Sequence, residues 1–508
     1  MTQKQSTSSP MTPLEKRSIT GLSSIFALRM LGLFMILPVF SLAAGQYTDA
    51  TPMLIGLAIG AYGLTQALLQ IPFGMLSDRI GRKRVITIGL LLFAAGSVVA
   101  ALADSIYMVI AGRLLQGSGA IAAAIMALTA DLTRDEHRTK AMASIGISIG
   151  LSFSVALAAG AALESWIGLS GIFWATALLS LVGIAVLHLW VPTPTRLVNH
   201  RDIEPMPQQF LNVFRNADIM RMVFSIMILH SLLTISFFAL PITLLEHAGL
   251  AKDQHALAYL PVLILAFISM VPFIIIAEKR RKMKPIFIGA IAVLAISQLG
   301  WSMLSTSLTG MLFCLWLFFT AFNILEASLP SLMSKLSPLA NKGTAMGVYS
   351  SAQFIGAFIG GTAGGILFSK FGVSGVFIAG ATLTGIWLLV ILPMRPPKHL
   401  STRIIHLSNI SDNNARDIAQ QLNNINGVVE TVIVVEEHVA YVKFSPDEIL
   451  LILEQECKLF ESILDEIKPS YLLINEPPFH YQKLIVELCK AKKINVLSLR
   501  ISKYKTSS

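Results

Sequence analysis

The chain has 508 residues, 54% of them hydrophobic and 13% charged, with a net charge of +10 and a mean hydropathy of +0.69. Soluble globular chains carry about a quarter charged residues, so this composition points to a membrane protein. The basic surplus sits in short loops between apolar runs, where it reads as membrane orientation rather than nucleic-acid binding, and residues 401–508 hold 12 Lys+Arg against 14 Asp+Glu.

In chain order, residues 1–18 read as a polar disordered tail with no cleavable signal pattern. Crossing a bilayer core about 30 Å thick takes about 20 mostly apolar residues. Such runs occur near 19–43, 52–76, 85–103, 107–130, 141–163, 169–191, 219–245, 256–277, 285–304, 310–334, 344–368 and 372–394. They predict an all-α polytopic membrane protein with twelve transmembrane helices in two pseudo-symmetric six-helix bundles, 19–191 and 219–394. A loop at 192–218 joins the bundles.

One set of loops carries Arg79, Arg82, Lys83, Arg84, then Arg134, Arg138, Lys140, then Arg196, Arg201, Arg215, then Lys279 to Lys284, then Lys335 and Lys342. The alternate set holds Lys252 and Lys370. By the positive-inside bias both termini are expected in the cytoplasm, with the protein in the inner membrane. A shift of 200 residues lays 57–89 on 257–289 with seven identities, among them Pro72/Pro272, Phe73/Phe273 and Gly89/Gly289. Asp78 then meets Glu278, and Arg82 meets Lys282. This repeat suits two parallel halves around a midplane cavity.

After a linker at 395–402, residues 403–508 change character. RIIHLS (403–408) reads as a strand, 413–425 as a helix, and VVETVIVVEE with HVAYVKF as a hairpin. This βαββ run starts a small soluble α+β ferredoxin-like domain, which helices near 447–467 and 478–493 and the strands YLLIN and INVLSLRI complete and extend. Cys314, Cys457 and Cys489 lack metal-ligand spacing, and no cysteine lies in the 407–413 turn; no metal and no cofactor other than the proton gradient is expected. A regulatory ligand or self-association is the reading left for this domain.

Gly74-Met-Leu-Ser-Asp78-Arg79-Ile-Gly81-Arg82-Lys83-Arg84 and Arg113-Leu-Leu-Gln116-Gly117-Ser-Gly119 resemble two signatures of the major facilitator superfamily. Within it, the chain is similar to the twelve-helix drug:proton antiporter group. The resemblance implies alternating access, with Gly74, Asp78, Arg79, Gly81 and Arg82 forming a loop that latches one state; the bland alternative is that the arginines only hold orientation. The antiporter pattern ends helix 5 in Gly-Pro, whereas this chain offers Ser154-Val155 and Gly160-Ala161, which leaves direction open.

Charges at membrane depth are costly and face cavities or partners. Arg29, His230 and Glu326 each stand ten or eleven residues from the basic end of their runs, roughly 15 Å deep. Glu326 is the first candidate to carry a proton, against a permanent salt bridge to Arg29 or His230, and His230 is the second, against hydrogen-bonded packing. Arg29 reads equally as a substrate-anion or counter-charge site and as a bundle-locking ion pair. Gln66, Gln70, Gln116 and Asn323 are candidates to line the cavity, with Arg113 a charge partner nearer the outer side. The function expected is proton-coupled efflux of a small organic solute; the alternatives are a proton symporter or importer of a metabolite, and a sensor that reports through the C-terminal domain. Neither a Walker motif nor a catalytic constellation appears, so an enzyme is not expected.

Overall fold

In a computed structural model of the chain, residues 10–193, 207–338, 342–394, 401–406, 411–435, 439–445, 448, 471–475 and 495–499 are described. The chain divides into two compact units, with Lys398–Ser508 in the second.

The first unit is a helical bundle. Its N-terminal half comprises α1 (Pro13–Phe34) with the short α2 (Phe40–Ala43), α3 (Pro52–Ile80), α4 (Arg82–Ala101), α5 (Ile106–Gly117), α6 (Ala122–Asp131) and α7 (Asp135–Leu189). After α8 (Pro207–Arg215), the C-terminal half comprises α9 (Ala217–Glu246), α10 (His255–Lys279), α11 (Met283–Met303), α12 (Leu308–Leu336) and α13 (Lys342–Ile391). Among the described residues, nine stretches are long and apolar enough to cross a membrane, with α5 and α6 taken as one. Two of them, α7 and α13, pass through non-helical glycines, Gly168 at φ 67° and Gly372 at φ 64°. Positive φ is cheap only for glycine, so each is two spans meeting at a turn. With α1–α2 as the first span, the bundle has twelve.

Apolar packing separates the two ends of the bundle. One buried cluster joins the C-terminal half (Leu232, Phe319, Leu325) to N-terminal-half residues at the end away from the basic loops: Met35, Phe40, Ile59, Val109, Phe153 and Ile172. A second cluster gathers basic-end residues of the N-terminal half alone (Leu22, Ile25, Val85, Ile125, Leu187), and among the described residues Phe354 is the C-terminal-half residue packed on it. The halves therefore share a core at the far end and keep separate cores toward the basic end.

Far-end closure rests on backbone contact between α3 and α13. A Cβ added at Gly60 would stand 2.6 Å from the Phe358 carbonyl oxygen, and one at Gly361 would stand 2.8 Å from the Gly60 nitrogen. Small residues let helices approach this closely where no hydrophobic force drives association.

In the second unit β1 (Ser401–His406) pairs antiparallel with β3 (Val439–Phe444), and β3 with β2 (Val428–Val434), in the order β1-β3-β2. α14 (Asp412–Asn423) lies between β1 and β2 in sequence. This is the βαββ core of a ferredoxin-like domain. β4 (Tyr471–Asn475) and β5 (Asn495–Leu499) differ from expectation: they pair parallel with each other as a separate sheet. Parallel neighbours need a crossover, which accounts for their spacing. The helices expected near 447–467 and 478–493 lie outside the described residues, apart from residue 448.

Gly60→Val is expected to push α3 from α13 and open the far end. Cysteine pairs across this seam should then cross-link more slowly than in the parent, because main-chain atoms cannot move aside as a side chain would.

Candidate functional site

Three polar clusters carry the chemistry of the bundle. At the basic end α3 turns into α4 through Gly81, at φ +101°. This turn brings Arg82 back over its own loop: Nη1 donates to Asp78 Oδ1 and, at 2.8 Å, to Ser77 Oγ, while Nε donates to Asp131 Oδ2 at 3.3 Å. The Arg82 and Asp131 side chains are 7% and 4% exposed, so this pair is a buried clamp between α4 and α6. Gly74 packs close to Ala123, and Arg79 is exposed. Nearby, Glu15 closes the N-terminal capping box of α1 with Thr12 and takes two charged contacts from Arg134, at 2.9 Å each. That guanidinium holds the Glu15 carboxyl well below the usual carboxylate range.

The second cluster lies inside the N-terminal half. Arg29 is 1% exposed, and its Nη2 donates to Tyr62 Oη (2.9 Å), Gln66 Oε1 (2.7 Å) and the Gly119 carbonyl (2.7 Å). Gln66 passes the chain on to Gln70 at 2.8 Å. Gly119 lies where the fourth span breaks between α5 and α6, so the guanidinium satisfies a carbonyl that the broken helix sets free. Arg113 donates to the carbonyls of Ala58 and Ile59 and, at 2.9 Å, to Gln116 Oε1, and its guanidinium lies 5.2 Å from the Tyr62 ring centre. Gln116 in turn donates to Ser97 Oγ at 2.7 Å. Arg29, Arg113 and Gln116 thus form one network around Tyr62, and Arg29 makes no ion pair with Glu326.

The third cluster lies in the C-terminal half at mid-depth. His230 Nδ1 is 3.3 Å from the Ile226 carbonyl. Donation there leaves Nε2 as an acceptor for Gln353 Nε2, 2.8 Å away. The same Gln353 nitrogen reaches Glu326 Oε1 at 3.5 Å, and Glu326 Oε2 lies 3.9 Å from His230 Nε2. Glu326 Oε2 is enclosed without a hydrogen-bond partner, although 36% of the side chain is exposed. Asn323 is half-buried three residues before Glu326.

Sequence reasoning did not name Asp131, Glu15, Tyr62 or Gln353 among the site residues. Asp131 carries a usable signal, since it is an acid at the end of an apolar run beside a basic loop. Gln353 and Tyr62 carry none, because their roles depend on which helices pack together.

The sequence profile of the Major Facilitator Superfamily matches residues 22–361 and, in a second alignment, 284–420. The chain is 47% identical over 434 residues to the inner membrane transport protein YajR of Escherichia coli strain K12, spanning 85% of this chain and 95% of that protein. It is 34% identical to the uncharacterized transporter BU466 of Buchnera aphidicola subsp. Acyrthosiphon pisum, over 69% of this chain and 90% of that one. Among solved structures, the D-xylose-proton symporter aligns at a TM-score of 0.61 with 18% identity, covering 75% of this chain and 98% of that one. A bacterial homolog of the human lysosomal transporter Spinster, inward-facing and unoccupied, aligns at 0.58 with 14% identity over 75% and 96%. Both structural likenesses show the fold.

Glu15 yields a pH test. A carboxyl whose folded pKa is depressed contributes stability above its unfolded pKa, about 4.3, and loses it as pH falls toward the folded value. Arg134 is 42% exposed, so solvent screens the pair. Glu15→Gln should cost about 1 kcal/mol at neutral pH. The melting difference between variant and parent in detergent should shrink below about pH 4.

Proposed function

Because this chain belongs to the Major Facilitator Superfamily, we propose that it is a proton-coupled exporter of a small organic solute, working by alternating access. It is a multi-pass secondary transporter and not an enzyme. The finer reading rests on one observation: Glu326 is a mid-depth carboxylate on α12 with an unbonded Oε2, 3.9 Å from the His230 Nε2 that Gln353 also engages. Taking up a proton removes the cost of holding that charge in a low-dielectric site, and giving it up restores a negative partner for solute. We place the basic end and both termini in the cytoplasm of the inner membrane, on the Lys/Arg bias of the loops.

In this reading Glu326 releases its proton toward the cytoplasm in the state seen here, and solute enters the cavity from that side. Reorientation then presents Glu326 to the far side, where proton uptake expels the solute. The Asp78–Arg82–Asp131 clamp sets the balance between states, since a latch that ignores ligand changes populations and thereby apparent affinity. Symport is the second reading, favoured by the missing Gly-Pro pair on the fifth span. For the C-terminal domain we propose a regulatory or self-associating role.

In proteoliposomes with a pH-sensitive dye inside, Glu326→Gln should reduce solute-driven proton flux to that of empty liposomes while the protein still inserts. Full flux in this variant would overturn the assignment. Deleting residues 401–508 should leave an inserted bundle that still transports, with altered regulation; loss of inserted protein would refute the independence of that domain.

A further inference from the structure

We propose that phenylalanines bridging the two halves, centred on Phe153, form the gate that decides from which end Glu326 is reached. The proposal rests on Glu326 as the coupling group.

Phe153 stands on the first arm of α7, in the N-terminal half. Its ring meets Phe34 of the first span edge-on at 4.7 Å, stacks on Phe322 of α12 at 6.0 Å with an 18° tilt, and lies 5.9 Å from Phe319. Phe319 continues to Phe237 of α9 at 5.8 Å. Four helices from both halves thus meet in one aromatic layer. Offset and edge-on ring pairs of this kind are favoured, and they close space that loosely packed aliphatic chains leave open.

The layer sits at a sharp change of environment. Phe319 and Phe237 are 0% exposed, Phe322 is 4% and Phe153 8%. Glu326 lies one helical turn from Phe322, toward the basic end, and keeps 36% of its side chain exposed. The partly exposed Glu326 side chain thus borders, one turn away, a layer of rings that are almost wholly buried. A hydrophobic constriction excludes water, and with it protons and polar solute.

The layer is also placed to respond to the site. Phe322 lies 6.0 Å from the His230 ring and shares a helix with Glu326. A change of charge or of pairing between Glu326 and His230 shifts the ring on which Phe153 stacks. Plain helix packing would explain rings within one half; it does not explain why the inter-half contacts gather one turn from a partly exposed acidic side chain.

The test uses the full-length chain with its three cysteines replaced and Asn323→Cys introduced. An impermeant maleimide is applied from the far end. Slow labelling is expected in that background and fast labelling after Phe153→Ala, with labelling from the basic end unchanged. Phe153→Leu, which keeps most of the volume, covers the case of an alanine variant that does not insert, and should give an intermediate rate.

In solute-free proteoliposomes Phe153→Ala should dissipate an imposed pH gradient, and adding Glu326→Gln should stop that leak. Unchanged far-end labelling in both Phe153 variants overturns the gate, whether or not Glu326 carries protons. Faster labelling with a leak that survives Glu326→Gln upholds the gate and removes Glu326 as the proton carrier.

Discussion

Hydrocarbon supplies no partner for a charge or for a freed main-chain group, so each must be met inside the protein. The two halves answer this constraint differently. In the N-terminal half Arg113 and the Nη2 of Arg29 are met by carbonyls, glutamines and Tyr62, while Arg29 Nε and Nη1 are enclosed without a hydrogen-bond partner. Arg29 Nη2 in turn caps the break in the fourth span, meeting the Gly119 carbonyl that the interrupted helix sets free. In the C-terminal half Glu326 keeps one oxygen unbonded.

The internal repeat shows how the halves diverged while the chain kept its fold. At the basic end of the N-terminal half Arg82 is clamped by Asp78 and Asp131, with the Arg82–Asp131 pair largely buried. By the 200-residue shift Glu278 stands where Asp78 does, and Lys335 bonds it at 3.4 Å with side chains 49% and 30% exposed. Exposed pairs contribute little because water and salt screen them. The same place in the two halves therefore holds a tight buried clamp in one and a loose surface pair in the other.

The twelve spans were legible because each is a long apolar run set off by charged, polar or glycine positions. Apolar length, however, does not show where a helix unwinds within one run, as between Gly117 and Ala122. The basic loop could be read because its glycines and charges are adjacent in sequence. Its closing partner Asp131 could not, since it is 49 residues from Arg82. At mid-depth the positions of Arg29, His230 and Glu326 were legible from spacing, but their partners were not. An Arg29–Glu326 pair was one expectation, yet Arg29 turns into its own half. Gln353, 123 residues from His230, links the imidazole to Glu326. In the C-terminal domain alternation revealed β4 and β5, but the choice of strand partner is not encoded locally.

Closure at the far end uses two kinds of contact because it must satisfy two conditions. Along α3 and α13 glycines bring backbone against backbone, which holds the halves together over a long seam. Such a seam is narrow and does not fill the space between the other helices. The Phe34–Phe153–Phe319–Phe322 layer fills that space with rings that exclude water. A structure with the seam alone would hold together yet leak; one with the rings alone would seal but bind the halves too weakly to keep them in register. Because α12 carries both the sealing ring Phe322 and the carboxylate Glu326, four residues apart, a rigid helix cannot move one without the other.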